Sequence, residues 1–250
     1  MIDPVKKKQA VALVKAYRKQ ALMEQSQSSL AKFSEIFLDV RPALHHMMIC
    51  YEIDRLINGE FDDLVINTPP GSAKSTYASI GAPAYYLSKF PKNTILTASH
   101  GFDLAEKWGK RVRAVVTSKK YQQAFEHVRL SQDTRAAAQW ATTLGGEFFG
   151  VGVGGGVLGR RSDFCVIDDP VSGWEEANSL TRLQKIHDWF ETDLMSRLKP
   201  GAKIVLICQR LSINDLAGYM IKRNQENPTR RLRVLNIPME CNSEDDPLGS

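Results

Sequence analysis

Long apolar runs are missing from this chain. No stretch approaches the roughly eighteen consecutive apolar residues that a membrane-spanning helix needs, so none is expected. The N-terminus, MIDPVKKKQAVALVKAYRKQ, interrupts its apolar positions with basic residues, unlike a secretory signal, and the chain reads as cytoplasmic. Cysteine is scarce too. Cys50, Cys165, Cys208 and Cys241 show no metal-ligand spacing, and two of them sit inside apolar runs, where cysteine behaves as a small hydrophobe. Neither a disulfide framework nor a zinc site is expected. His45 and His46 are adjacent but have no partner cluster, which favours helix packing or a wet surface over a metal site. No internal repeat occurs.

What is present suits a globular protein. With 250 residues, 43% of them hydrophobic, the chain can bury a substantial core as one large domain, with or without a small appendage. Its net charge of +5 is unevenly placed. Lys6, Lys7, Lys8, Lys15, Arg18, Lys19 and Lys32 outweigh Asp3 and Glu24 in residues 1–32, which leaves the remainder neutral. This basic segment is a candidate surface for polyanions, though charge runs usually serve as solvated helix faces. Val11, Val14, Tyr17 and Ala21 recur at helical spacing, so the segment is expected to pack against something.

Further along, SQSSLAK reads as a break and RPALHHMMICYEIDRLING as a helix with Gly59 near its end. From residue 62 short β-rich runs alternate with helical ones. DDLVINT, NTILTAS, DFCVIDDP, AKIVLICQR and RLRVLNIP read as strands. KSTYASIGAPAYYLSKF, GFDLAEKWGKRVRAVVTS, SLTRLQKIHDWFETDLMSRL and INDLAGYMIKR read as helices, the second with Ala105, Trp108, Val112 and Val115 on one face. VRLSQD and AAAQWATTL suit a hairpin, and the glycine-rich GGEFFGVGVGGGVLGRRS reads as a loop. This alternation predicts an α/β fold of three layers around a mostly parallel sheet. The boundaries expected are an N-terminal helical segment over 1–60, a core domain over 61–240 and a linker over 241–250.

One stretch carries chemistry and a deficit. NTPPGSAKST, residues 67–76, follows an apolar strand and ends in Lys-Ser, as in the phosphate-binding pattern G-x-x-x-x-G-K-[ST], but Thr68 and Ala73 stand where glycine is usual. The free backbone N–H groups where such a turn opens a helix favour phosphate. Lys74 would reach the terminal phosphates and Ser75 would ligate Mg²⁺. Gly71 and Ser72 keep the backbone approachable, Pro69 and Pro70 stiffen the approach, and an L-residue forced to positive φ costs roughly 1–2 kcal/mol. A second signal is DFCVIDDP, an apolar strand ending in two acids. There Asp168 would hold the metal and Asp169 would orient the attacking water as catalytic base. Together the two signals point to ATP and Mg²⁺.

Three further features bear on that site. Gly150, Gly152 and Gly155 satisfy G-x-G-x-x-G, but no strand is expected to close just before them and no helix to open after, so a close-approach loop is preferred to a dinucleotide site. That loop delivers Arg160 and Arg161, which could bring positive charge to a transferring phosphate or simply pair with Asp163. The strand AKIVLICQR ends in Gln209 and Arg210, where a polar group could sense the γ-phosphate; Arg210 could equally be a structural cap.

In order and spacing these stretches resemble the large terminase subunit of tailed bacteriophages, the ATPase that drives DNA into the capsid. The resemblance covers most of residues 42–240: HH before a helix, LVINTPPGSAKST, RVRAVVTSKKYQQAF, QWATTLGGEFFGVGVGGGVLGRRSDFCVIDDP and ICQRLSINDLAG. TPPGSAKS looks like the family's proline-led deviant Walker A loop, GRRSDFCVIDDP like its Walker B region and CQRLSINDLAG like its ATP-coupling motif. The resemblance implies an additional-strand P-loop ATPase core that binds ATP with Mg²⁺. Pro70, Gly71, Ser72, Ala73, Lys74, Ser75, Thr76, Gln209 and Arg210 would line the nucleotide site, Ser75 and Asp168 would hold the metal, and Asp169 would act as the catalytic carboxylate. Where many relatives carry a P-loop arginine this chain has Pro70, so Arg160, or Arg161 in its place, is expected to serve a neighbouring subunit's site. The implied partners are double-stranded DNA, copies of the chain in a ring, the portal protein and the small terminase subunit. The implied location is the host cytoplasm, on the procapsid portal. The family's nuclease half would lie beyond DDPLGS, so no DNA cleavage is expected. The alternatives are a helicase-like DNA translocase, or a non-hydrolysing nucleotide- or DNA-binding assembly module.

Overall fold

The computed structural model describes residues 4–136, 138–156 and 159–239, without the side chains of 4–11 and 132–135. The linker expected over 241–250 and the side chains of Lys6, Lys7, Lys8 and Val11 lie outside what is described. Three helices come first: α1 (Pro4–Gln27), α2 (Leu30–Phe37) and α3 (Leu44–Ile57). The rest alternates strand and helix. In chain order these are β1 (Asp63–Asn67), α4 (Ala82–Lys89), β2 (Thr94–Ser99), α5 (Phe102–Thr117), α6 (Lys119–Ala124), β3 (Leu130–Arg135) and β4 (Gln139–Thr142). They continue with β5 (Glu147–Gly152), β6 (Ser162–Asp168), α7 (Trp174–Ala177), α8 (Leu180–Asp188), β7 (Leu198–Cys208), α9 (Leu216–Glu226) and β8 (Leu232–Asn236).

The eight strands among the described residues join one sheet in the order β3-β4-β5-β2-β6-β7-β1-β8. From β5 to β8 every pairing is parallel, and β3 and β4 close the far edge as an antiparallel hairpin. Both faces are covered along β1, β2, β6 and the second half of β7, which explains why these strands read as continuous apolar runs. Leu64, Ile66, Val166, Val205 and Ile207 face a layer that includes Phe33, Ile53, Tyr77, Tyr85 and Trp108. Val65, Ile167, Ile204 and Leu206 face Leu183, Trp189, Phe190, Leu216 and Met220. The result is the expected three-layer α/β fold with a mostly parallel sheet. Strand β7 lies between β1 and β6, and this inserted strand is what defines the additional-strand arrangement.

Two expectations fail. The glycine-rich stretch is not all loop, because Glu147–Gly152 forms β5 beside β2. Glycine is depleted in strands, which hid it. Here it serves helix approach: a Cβ on Gly150 would lie 3.1 Å from the Ala105 carbonyl oxygen, and one on Gly152 would lie 3.1 Å from the Phe102 nitrogen. The stripe on α1 also departs from expectation. Val14 and Tyr17 are 48% and 75% exposed, and the contacts of α1 run instead through Leu22 and Met23.

Candidate functional site

Register places the site. Asn67 of β1 lies opposite Cys208 of β7, Ile207 of β7 opposite Asp168 of β6, and Asp168 opposite Ser99 of β2, so the carboxyl ends of four strands share one edge. The turn after β1 is the phosphate-loop candidate. It opens a helix whose first turn, Thr76–Gly81, is wound wider than α before continuing as α4. Pro70, Gly71, Ala73, Lys74, Ser75, Thr76, Trp108, Asp169 and Gln209 line a cleft of about 370 Å³ there.

Of the two absent glycines only the second matters to the backbone. Among the described non-glycine residues, positive φ occurs at Asp39, Ala73 and Asp169, so Thr68 has an ordinary conformation. Its hydroxyl donates to Ser72 Oγ at 2.8 Å, and its amide donates to the Cys208 carbonyl at 3.1 Å. Ala73 has φ +54° and Gly71 φ +77°. The loop therefore takes the left-handed turn a glycine would give, with a Cβ that makes it costly.

Lys74 is buried and its Nζ lies 2.9 Å from Asp169 Oδ1. Asp169, at φ +44°, is held on three sides. Its amide donates to the Ile207 carbonyl at 2.9 Å, its carbonyl accepts from the His100 amide at 3.2 Å, and its carboxylate accepts from the Gln209 amide at 3.3 Å. Asp168 is buried, and Ser79 Oγ donates to its Oδ2 at 2.6 Å. Burial pushes its carboxyl up to about 6, against the pull of the Ser79 hydroxyl and, more weakly, of Ser75 and Lys74. Its Oδ1 is buried with no hydrogen-bond partner, as is the hydroxyl of Ser99 beside it. The Trp108 indole N–H, on a side chain that lines the cleft, is likewise unpartnered.

Those atoms decide the fit of a metal. Among the described residues no group of three or more His, Cys, Asp or Glu could hold an ion. Mg²⁺ needs no such group: it commonly takes one or two carboxylates, substrate phosphates and waters. A buried, unpartnered carboxylate oxygen near a hydroxyl at the mouth of a phosphate loop fits that donor set.

The remaining candidates are placed elsewhere. Gln209 joins the cleft through its amide. Arg210 turns away: its Nε lies 2.9 Å from Asp215 Oδ2, and Asp215 caps α9 by accepting the Gly218 amide at 2.9 Å. Arg160 lies over the Phe149 ring, 5.3 Å from its centroid, in a cleft of about 740 Å³ that also includes His100, Phe102 and Glu106. That cleft is larger than the phosphate-loop one but holds neither Lys74 nor the acids. Arg161 is exposed. Asp163 is taken by Lys199 Nζ at 2.7 Å and the Thr94 amide at 2.7 Å. The chain thus brings Lys74, Ser75, Asp168, Asp169 and Gln209 together and leaves both arginines outside. Sequence reading missed His46, whose ring Nε2 meets the Ser72 carbonyl at 2.8 Å, and the cleft-facing role of Trp108.

No protein-family model and no curated protein matches the chain. Solved structures do. The large terminase of bacteriophage HK97 aligns with a TM-score of 0.59 and 13% identity, over 88% of this chain and 45% of that one. A mutant of the large terminase ATPase domain of Thermus phage P74-26 aligns with a TM-score of 0.55 and 13% identity, over 82% of this chain and 84% of that one. The chain thus spans less than half the length of the HK97 protein and most of the isolated Thermus phage domain. At these identities the likeness concerns architecture, and the architecture is that of a phage large-terminase ATPase domain.

Proposed function

We propose that this chain is the ATPase portion of a phage large terminase, hydrolysing ATP to drive double-stranded DNA into a procapsid. The observation that carries the reading is the junction of a left-handed Lys-Ser loop with two strand-end acids, Lys74 Nζ lying 2.9 Å from Asp169 Oδ1 and Asp168 Oδ1 buried without a partner. The likeness to terminase ATPase domains supports it.

The residues divide the work. The loop amides and Lys74 bind the β- and γ-phosphates, and a phosphate arriving at Lys74 competes with Asp169 for its ammonium group. Asp169, released but still held by the Ile207 carbonyl and the Gln209 amide, orients the attacking water and accepts its proton. Ser75 and Asp168 would hold Mg²⁺, which when bound neutralises charge developing on the γ-phosphoryl oxygens. Catalysis then rests on positioning and charge stabilisation. Arg160 and Arg161 lie outside their own chain's phosphate-loop cleft, and Arg160, or Arg161 in its place, is assigned to a neighbouring protomer's site in a ring on the portal, with the small terminase subunit and DNA as the other partners.

Steady-state turnover of Mg²⁺-ATP tests this. Lys74→Ala and Asp169→Asn should each lower kcat at least about 100-fold, the scale on which a lost charge-positioning or base contact acts. Turnover that never appears in the unaltered chain points instead to a non-hydrolysing module, and turnover that survives both changes overturns the roles given to Lys74 and Asp169. Strand separation on forked duplexes would assign the chain to the helicases.

A further inference from the structure

The loop holds a strained alanine, and a residue far away in sequence holds the loop. Ala73 sits at φ +54°. The peptide that leads into it ends in the Ser72 carbonyl, which meets His46 Nε2 at 2.8 Å. The other ring nitrogen settles the direction of that bond, because His46 Nδ1 lies 3.1 Å from the Ala43 amide and accepts from it. A neutral ring that accepts at Nδ1 carries its proton on Nε2, so His46 donates to Ser72 O. The ring is also stacked on Tyr77, with centroids 4.5 Å apart, and Tyr77 belongs to the wide turn that the loop opens. Two hydrogen bonds and a stacked ring therefore brace the imidazole between the start of α3 and the loop.

We propose that His46 is the positioning residue that holds Ala73 in the left-handed turn, doing from α3 what a glycine would otherwise do within the loop. In a trans peptide the carbonyl and the amide point to opposite sides. Anchoring Ser72 O toward α3 fixes that plane, aims the Ala73 amide toward the cleft, and maintains the φ that an alanine Cβ resists. Thr68 contributes from the other side by donating to Ser72 Oγ. The inference deepens the nucleotide-site reading and rests on it for the consequence in binding, while the loop geometry stands apart from it.

A double-mutant cycle over His46→Ala and Ala73→Gly tests the inference with two readouts. The first is the dissociation constant of a fluorescent, non-hydrolysable ATP analogue with Mg²⁺. His46→Ala should weaken binding about tenfold where Ala73 is retained, the equilibrium equivalent of the left-handed penalty, and less than about threefold in the Ala73→Gly background. His46→Gln, which keeps an Nε2 donor, should retain most of the affinity. The second readout needs no nucleotide. With His46 present, Ala73→Gly should raise the melting temperature by a few degrees because it relieves the strain; with His46→Ala the same change should leave it nearly unmoved. Differences in unfolded-chain entropy between alanine and glycine cancel around the cycle. A merely structural histidine would give additive effects in both readouts, and additivity in the melting cycle overturns the inference. If the unaltered chain binds no analogue while the melting cycle shows coupling, the nucleotide reading fails and the role of His46 stands.

Discussion

Asp168 pays for its position with burial, and the sign of that effect can be read in stability. Its carboxyl is pushed up to about 6 in the folded chain, against about 3.9 for a free aspartate. A raised acid contributes stability that is fully present below the unfolded value and lost as pH rises through the folded one. Between about pH 4 and 6 the native state therefore weakens, because Asp168 of the unfolded chain ionises while the folded one keeps its proton. Asp168→Asn removes the buried charge and keeps an oxygen for the Ser79 hydroxyl. We expect it to melt a few degrees higher than the parent at pH 8, with the difference closing near pH 4, while its Mg²⁺-ATP turnover is lost. Calorimetric melts at the two pH values check this, and a lower melting temperature at pH 8 would contradict it. Residue types in order made much of the cleft legible: a Lys-Ser after one strand and paired acids after another announce their chemistry. His46 was not legible. Its role depends on a contact between positions 46 and 72 that exists only once α3 is docked, and a histidine pair on a helix has blander uses.

Among the elements, the apolar runs of β1, β2, β6 and β7 were readable because each is covered on both faces. The strand at Glu147–Gly152 was not, since its glycines are there for the backbone of α5 rather than for strand propensity. The stretch LSINDLAG shows the same principle at the start of α9. Asp215 caps the helix by accepting the Gly218 amide and also takes Arg210, and a Cβ on Gly218 would run into the Ile213 carbonyl oxygen. The obstacle is backbone, which yields poorly. Gly218→Ala should therefore destabilise the chain by about 1–3 kcal/mol, in the range of overpacked sites, and lower the melting temperature by several degrees. A variant that melts with the parent would mean that the turn before α9 shifts freely.

For the molecule as a whole, the two arginines lie beyond the phosphate-loop cleft, Arg160 in the larger cleft and Arg161 on the exposed surface. Arg160 rests on Phe149 and Arg161 points to solvent, both outside the cleft that holds Lys74. If either serves a neighbouring copy, ATPase activity per protomer should climb with protein concentration. Arg160→Ala or Arg161→Ala should remove that climb, a loss of about 10³-fold or more by analogy with arginines supplied in trans. A flat concentration profile together with unaltered turnover in both variants would end the idea. The exposed Lys15 and Arg18 of α1 form a second charged surface, and the stripe of Val14 and Tyr17 beside them shows why helical periodicity alone does not say what a helix packs against.

The strand inserted between β1 and β6 also sets a length. Neighbouring strands lie about 4.8 Å apart, so the root of the phosphate loop and the root of the acids stand about 10 Å apart, two spacings rather than one. β7 is bonded to both, through the Cys208 carbonyl on one side and the Ile207 carbonyl on the other. The gap is thus a ruler made of backbone, insensitive to the side chains along it. Across it Lys74 Nζ reaches Asp169 Oδ1 at 2.9 Å, and the proposed nucleotide would place its terminal phosphate within the same width.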